Sequence, residues 1–253
     1  MILYYSATGN SRHVAKMLAQ RTGEVPQSVI DLMRRKEYAI SLGEGEWLVV
    51  VTPTYHWGLP HAMRLFLDRC NVTGDGANRA LAVATYGTTS GAACRMAARR
   101  LRAKGVFGEV LTASVKMPDT WTPTFDLTDT ARNAALNAEA DKAVLRLADD
   151  IEAGRKPKNG EYLPMAVCYV ANRWAYHYTR RTSHFRLTDG CIGCGLCSRI
   201  CTAQVIEMRD GHPVWTAPRC EMCLACLHHC PRFAIQYENR TQHHGQYVHP
   251  DRK

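Results

Sequence analysis

Short apolar runs alternate with segments of helical spacing through the first 154 residues. Residues 2–5, 28–30, 47–51, 80–85 and 111–115 are rich in Val, Ile, Leu and aromatic side chains and end at turn-forming residues, which predicts five strands. Between them Val14, Met17 and Leu18, and then Met63, Phe66 and Leu67, fall at helical spacing. Residues 90–104 are Ala-rich and finish in Arg99, Arg100, Arg102 and Lys104 before Gly105, cations suited to the end of a helix. A longer Ala, Leu and Glu pattern covers 131–153 and closes at Gly154. Strands alternating with helices predict an α/β fold, a doubly wound parallel sheet of five strands.

The pattern changes at residue 155 and divides the rest of the chain into three parts. In the first, a connector over 155–185, Arg155, Lys156, Lys158, Arg173, Arg180 and Arg181, with Arg186 just beyond, oppose Glu161 alone. Tyr162, Trp174, Tyr176 and Tyr178 give this connector apolar bodies, so it is expected to pack between domains and not to hang as a free linker. The second part is a cysteine module over 186–240. The third is a polar tail over 241–253, expected to fray. No run of about 18 apolar residues exists, so no membrane span is expected. The opening Met1-Ile2-Leu3-Tyr4-Tyr5-Ser6 has neither a basic region nor a cleavage site, and the expectation is a cytoplasmic protein.

Of the 11 cysteines, eight lie between Cys191 and Cys230, which in a reducing compartment points to metal rather than to disulfides. Cys191, Cys194, Cys197 and Cys201 follow C-x2-C-x2-C-x3-C, and Cys220, Cys223, Cys226 and Cys230 repeat it, with Pro231 behind the last. This double run is the pattern of a bacterial ferredoxin with two 4Fe-4S clusters. Three closely spaced thiolates can wrap three corners of one cubane, whereas the fourth, arriving as the chain turns away, suits the other. Cys191, Cys194, Cys197 and Cys230 are therefore assigned to one cluster, and Cys220, Cys223, Cys226 and Cys201 to the second. Paired zinc sites are the alternative, disfavoured because zinc rarely uses three successive C-x2-C steps and a crossed fourth ligand. Gly193 and Gly195 suit a tight wrap. Thr202 stands where this pattern usually has proline. Residues 205–215 read as a hairpin about Asp210-Gly211. Cys70, Cys94 and Cys168 sit in apolar contexts as small hydrophobes.

The first strand runs through Ser6-Ala7-Thr8-Gly9-Asn10-Ser11 into the first helix. Hydroxyls and backbone N–H groups at a helix N-terminus close around a phosphate. The segment is neither a Walker loop nor G-x-G-x-x-G, and alone it is equally a tight connection. Its neighbours strengthen it. The third strand ends in Pro53-Thr54-Tyr55-His56-Trp57-Gly58 and the fourth in Thr85-Tyr86-Gly87, and such strand ends converge at the switch point of an open sheet.

On these residues the first part resembles the flavodoxins, and the whole chain resembles fused flavodoxin–ferredoxin electron-transfer proteins. The resemblance implies a sheet of order 2-1-3-4-5 followed by a small C-terminal α+β ferredoxin domain. It also implies that Ser6, Ala7, Thr8, Gly9, Asn10 and Ser11 hold the phosphate of FMN, and that Pro53 to Gly58 and Thr85 to Gly87 flank its ring. Trp57 and Tyr86 are the candidates to stack on that ring, a core or interface aromatic being the alternative for Trp57. The segment Met117-Pro118-Asp119-Thr120-Trp121 also resembles this family, without an assigned role.

A formal charge of +9 departs from the acidic flavodoxins, although two clusters and a flavin phosphate would bring it to about +3. One phosphate nest and no second glycine-rich fingerprint point to FMN and not FAD. A flavin beside two one-electron clusters implies an electron-transfer protein that passes low-potential electrons between redox partner proteins. A reductase acting on a small substrate is the alternative, marked by an acid–base residue over an open flavin face. An iron–sulfur sensor on nucleic acid is disfavoured, because the basic connector carries no reader motif and no nucleic-acid partner is expected. Nothing in the sequence fixes the oligomeric state.

Overall fold

The computed structural model describes residues 1–157 and 163–252, so Lys158, Glu161 and Tyr162 of the connector lie outside the described residues. In chain order the elements are β1 (Ile2–Tyr4), α1 (Asn10–Thr22), β2 (Gln27–Ser28), α2 (Val29–Arg35), β3 (Ala39–Ser41), β4 (Trp47–Pro53), α3 (His61–Arg69), β5 (Asn71–Thr73), β6 (Asn78–Tyr86), α4 (Ala93–Arg102), β7 (Phe107–Lys116) and α5 (Thr130–Glu152). There follow α6 (Met165–Thr179), β8 (Phe185–Leu187), α7 (Leu196–Ile200), β9 (Ile206–Arg209), β10 (His212–Trp215), α8 (Ala225–His228) and β11 (Ile235–Tyr237).

Strands β2-β1-β4-β6-β7 form one parallel sheet, which is the expected 2-1-3-4-5 order. Period-two alternation divides its two faces. Ala80, Ala82 and Ala84 of β6 meet the layer of α2, α3 and α4, whereas Leu81 and Val83 meet α1 and α5. The small side chains on the first face let α4, with Ala93, Ala97 and Ala98 buried against it, come close to the strand.

Local chemistry moved one expected strand. Residues 28–30 read as strand, but β2 stops at Ser28, whose Oγ accepts the backbone N–H of Asp31 at 3.3 Å. That cap turns Val29 and Ile30 into the first turn of α2, where both are buried. A second parallel pair, β3 with β5, has one buried residue per strand, Ile40 and Val72, too little apolar signal to read in advance.

In the cysteine module β8 pairs antiparallel with β11, and β9 with β10. The second pair turns at Asp210 and Gly211, both left-handed at φ 48° and 78°, as the Asp-Gly step requires. The connector contains a 15-residue helix, α6, which its aromatic and basic residues had concealed. The tail does not fray. Thr241, Tyr247 and His249 are buried, and the segment lies back across both parts of the chain.

Candidate functional site

The carboxyl ends of β1, β4 and β6 meet at one edge of the sheet. After β1 the chain passes Gly9 at φ 106°, a conformation that glycine alone adopts freely, and enters α1. Ser6 Oγ accepts the N–H of Gly9 at 3.2 Å, and Ser11 Oγ meets Thr85 Oγ1 of β6 at 2.8 Å. No side chain caps α1 and no acid lies in its first turn, so its leading N–H groups remain available to an anion.

The loop after β4 is a tight turn with His56 and Trp57 both left-handed, at φ 46° and 59°. Tyr55 and Gly58 exchange both backbone hydrogen bonds across it, at 2.9 and 3.0 Å. Two elements hold the strained pair. Asn172 Nδ2 of α6 donates to the Tyr55 carbonyl at 2.8 Å, and Ala92 N donates to the Trp57 carbonyl at 2.8 Å. A Cβ on Gly58 would stand 2.6 Å from Asn172 Cγ, so this contact needs glycine.

These loops wall a cavity of about 370 Å³. Ser6, Ala7, Thr8, Asn10, Ser11, Pro53, Thr54, Tyr55, His56, Trp57, Thr85, Tyr86 and Gly87 all line it. Gly9 and Gly58 do not: the first lies under His249 of the tail, with an added Cβ 2.7 Å from His249 Cβ, and the second faces α6. The unassigned segment after β7 supplies another wall, where Asp119 accepts from Thr88 Oγ1 at 3.0 Å and from Trp121 N at 2.9 Å. Burial raises the Asp119 pKa. His56 stacks on Tyr176, its Nε2 lies 2.9 Å from Thr179 Oγ1, and burial pushes its pKa down to about 4. Ala171, Ala175 and Tyr176 of α6 complete this side, and Met222, Cys223 and Leu224 of the cysteine module close the cavity. None of these later residues carries a local sequence signal that links it to the strand ends.

The eight cysteine thiols are free and fall into two groups. Cys191, Cys194, Cys197 and Cys230 line one small cavity, with Gly195 and Pro231. Cys220, Cys223 and Cys226 stand close enough to Cys201 to oppose one another's ionisation. Burial first, and this mutual repulsion with it, pushes Cys220 up to about 12 and Cys223 up to about 11. A cation relieves such a group, because it holds thiolates where free ones cannot persist. Backbone donors already face the sulfurs: Met222 N to Cys220 Sγ at 3.2 Å, Val205 N to Cys201 Sγ at 3.4 Å and Ala234 N to Cys230 Sγ at 3.3 Å.

Buried polar contacts join the two parts. Glu221 Oε2 accepts from Ala62 N at 2.9 Å, so a carboxylate of the cysteine module caps α3 of the sheet domain. Tyr176 Oη donates to the Glu221 carbonyl at 2.8 Å, and Arg34 Nη2 to the Cys201 carbonyl at 3.0 Å.

A flavodoxin-domain family model matches residues 1–104, and a 4Fe-4S dicluster-domain model matches residues 184–231. No curated protein matches the chain. Among solved structures, a putative flavoprotein from Bacteroides uniformis is 17% identical with a TM-score of 0.31, over 46% of this chain and 90% of its own. Trp repressor binding protein from Bacillus subtilis is 15% identical with a TM-score of 0.33, over 57% of this chain and 96% of its own. By the two family models residues 1–104 match a flavodoxin domain and residues 184–231 a 4Fe-4S dicluster domain, which supports a flavin and iron–sulfur redox protein.

Proposed function

We propose that this chain is an electron-transfer protein that holds FMN and two 4Fe-4S clusters and moves electrons between them within one molecule. One observation carries the reading. Met222, Cys223 and Leu224 share a cavity with Ser6, Thr8, Asn10 and Ser11, which supports a cluster held beside the flavin. FMN would supply a two-electron carrier that also exchanges single electrons, and each cluster a one-electron carrier.

The chain's own residues do the positioning. The loop from Ser6 to Ser11 offers hydroxyls and the open N-terminus of α1 to one phosphate, with no cation in the loop. The turn residues Tyr55 to Trp57 and the segment from Asp119 to Trp121 would flank the ring. Cys220, Cys223, Cys226 and Cys201 would hold the cluster beside the flavin. Cys191, Cys194, Cys197 and Cys230 would hold the other, which Cys194 and Ile192 leave nearer to solvent. Glu221 on α3 and Tyr176 on Glu221 fix the distance between the modules.

His56 is engaged by Thr179, and Asp119 by Thr88 and Trp121. These bonds tie both side chains into the walls of the cavity, which favours a carrier over a reductase of small substrates. The test is kinetic. Anaerobic holoprotein with reduced clusters is mixed rapidly at several concentrations while the flavin band is followed. A first-order rate independent of protein concentration is expected, and a rate proportional to concentration would refute transfer within the molecule.

A further inference from the structure

Helix α6 has two faces of different character. Its inner face carries Cys168, Asn172 and Tyr176, turned to the sheet domain and to Glu221. Its outer face exposes Val167, Val170, Trp174 and Tyr178, of which Trp174 is 71% and Val170 57% accessible. These positions recur at i, i+3, i+7 and i+11, one continuous apolar stripe roughly 16 Å long at about 1.5 Å per residue. Among the described residues His184 and Arg181 lean on its Tyr178 end, while Val170 and Trp174 stay more than half exposed. A stripe of this kind, lying beside a functional cavity, marks a contact surface.

What borders the stripe identifies the occupant. Arg173, Arg181 and Arg219 have no carboxylate partner among the described residues, and the Arg181 guanidinium lies 4.8 Å from the centre of the Tyr178 ring. Their charges, that of Arg219 foremost, hold the neighbouring His177 below its ordinary pKa. Arg180 alone is neutralised, by Glu221 at 3.6 Å. Trp, Tyr and Arg together are the residues that dominate protein–protein contacts. The stripe also lies beside Ala171 and Ala175, which line the cavity, so whatever docks there sits at the cavity rim.

We propose that the outer face of α6 is the docking surface for a soluble redox protein with an acidic surface around its own redox centre. This rests on the electron-transfer reading above. The partner's acidic groups pair with Arg173, Arg181 and Arg219, and its apolar centre covers Trp174 and Val170. One electron then leaves the reduced partner and enters this chain's cofactors, with no bond made or broken. A lipid surface would meet the same charges, but it neither donates nor accepts an electron, and a place beside the flavin cavity would serve it no purpose.

The probe is a reduced, acidic bacterial ferredoxin mixed anaerobically with oxidised holoprotein, and the second-order rate is followed against ionic strength. The double variant Arg173→Glu with Arg181→Glu is expected to lower that rate by about tenfold or more and to flatten its salt dependence. Trp174→Ser should lower it at every ionic strength. The first-order flavin–cluster step in the same holoproteins should stay unchanged. If that step is itself absent, the electron-transfer reading fails, whatever the docking result. Unchanged second-order rates and salt slopes in both variants would overturn the docking proposal. So would Trp174-dependent sedimentation with phosphatidylglycerol vesicles while the ferredoxin kinetics stay intact, or a homodimer that Trp174→Ser dissolves.

Discussion

Thr202 shows how one side chain can connect the two modules. Its Oγ1 lies 3.2 Å from Cys223 Sγ and 3.4 Å from Tyr5 Oη, the buried tyrosine that follows β1. A Cys223 thiolate bound to metal could only accept, so in the proposed holoprotein Thr202 would donate to the sulfur and Tyr5 to Thr202. Proline, usual at this place in the cysteine pattern, could do neither. A donor to sulfur favours the more negative, reduced cluster and raises its potential. Thr202→Val is therefore expected to lower the midpoint of the cluster proposed at Cys223 by a few tens of millivolts. That is the size of a hydrogen bond worth on the order of 1 kcal/mol, at about 59 mV per tenfold. A redox titration followed by electron paramagnetic resonance checks it, and an unmoved midpoint would remove Thr202 from the account. At the other end of the cavity Thr8 is buried in the loop proposed to hold the phosphate. Thr8→Glu places a bulky anion where the phosphate would lie, so flavin should be lost while iron content stays at the wild-type level. Full flavin occupancy in that variant would mean that the phosphate binds elsewhere.

Among the elements, the tail depends most on distant partners. His244 Nδ1 donates to the Thr122 carbonyl at 2.7 Å, and Gln246 Nε2 to the carbonyls of Leu227 and Cys230 at 2.6 and 2.8 Å. Tyr247 Oη donates to Asn10 Oδ1 at 3.0 Å, and His249 N to the Thr8 carbonyl at 2.8 Å, so the tail rests on the loop that leads into α1. Two such bonds, at about 1 kcal/mol each, amount to roughly tenfold or more in affinity. Deleting residues 241–253 should weaken FMN by that factor in a fluorescence titration and leave the iron count intact; equal affinity would make the tail a bystander. Such an element escapes sequence reading because its buried residues are isolated, Thr241, Tyr247 and His249, and the last two are matched to distant sites. The parts that were legible are local. The loop from Ser6 to Ser11 is one strand-to-helix turn, and eight cysteines at fixed spacing set their own ligand register. The pairing of β3 with β5, and the helix α6 that carries Tyr176 to Glu221, became visible only in three dimensions, since neither declares its partner in its own pattern.

Across the whole molecule these contacts form one closed circuit from the sheet domain through Glu221 and the cysteine module to the tail, and back to the loop from Ser6 to Ser11. Its closing contact is pH-sensitive. His249 stacks on His13 with ring centres 4.0 Å apart, its Nδ1 accepts from Asp251 N at 3.3 Å, and its Nε2 is buried without a hydrogen-bond partner. His13 is itself held between Asp141 and Asp251, and Lys16 lies beside Asp251. Burial first, then the neighbouring His13, pushes His249 down to about 4 from an ordinary 6.5. A depressed histidine contributes stability above its unfolded pKa and loses it as pH falls towards the folded one. The closed tail should therefore hold at pH 7.5 and weaken progressively between about 6.5 and 4. At pH 5 the loss is about 2 kcal/mol if release of the tail exposes His249. Hydrogen exchange of residues 241–252, followed from pH 7.5 to 5, should show protection falling on that schedule in the wild type. His249→Gln, which cannot take up the proton, should flatten the profile, whereas a wild-type profile already flat over this range would show that the tail is closed by contacts other than His249.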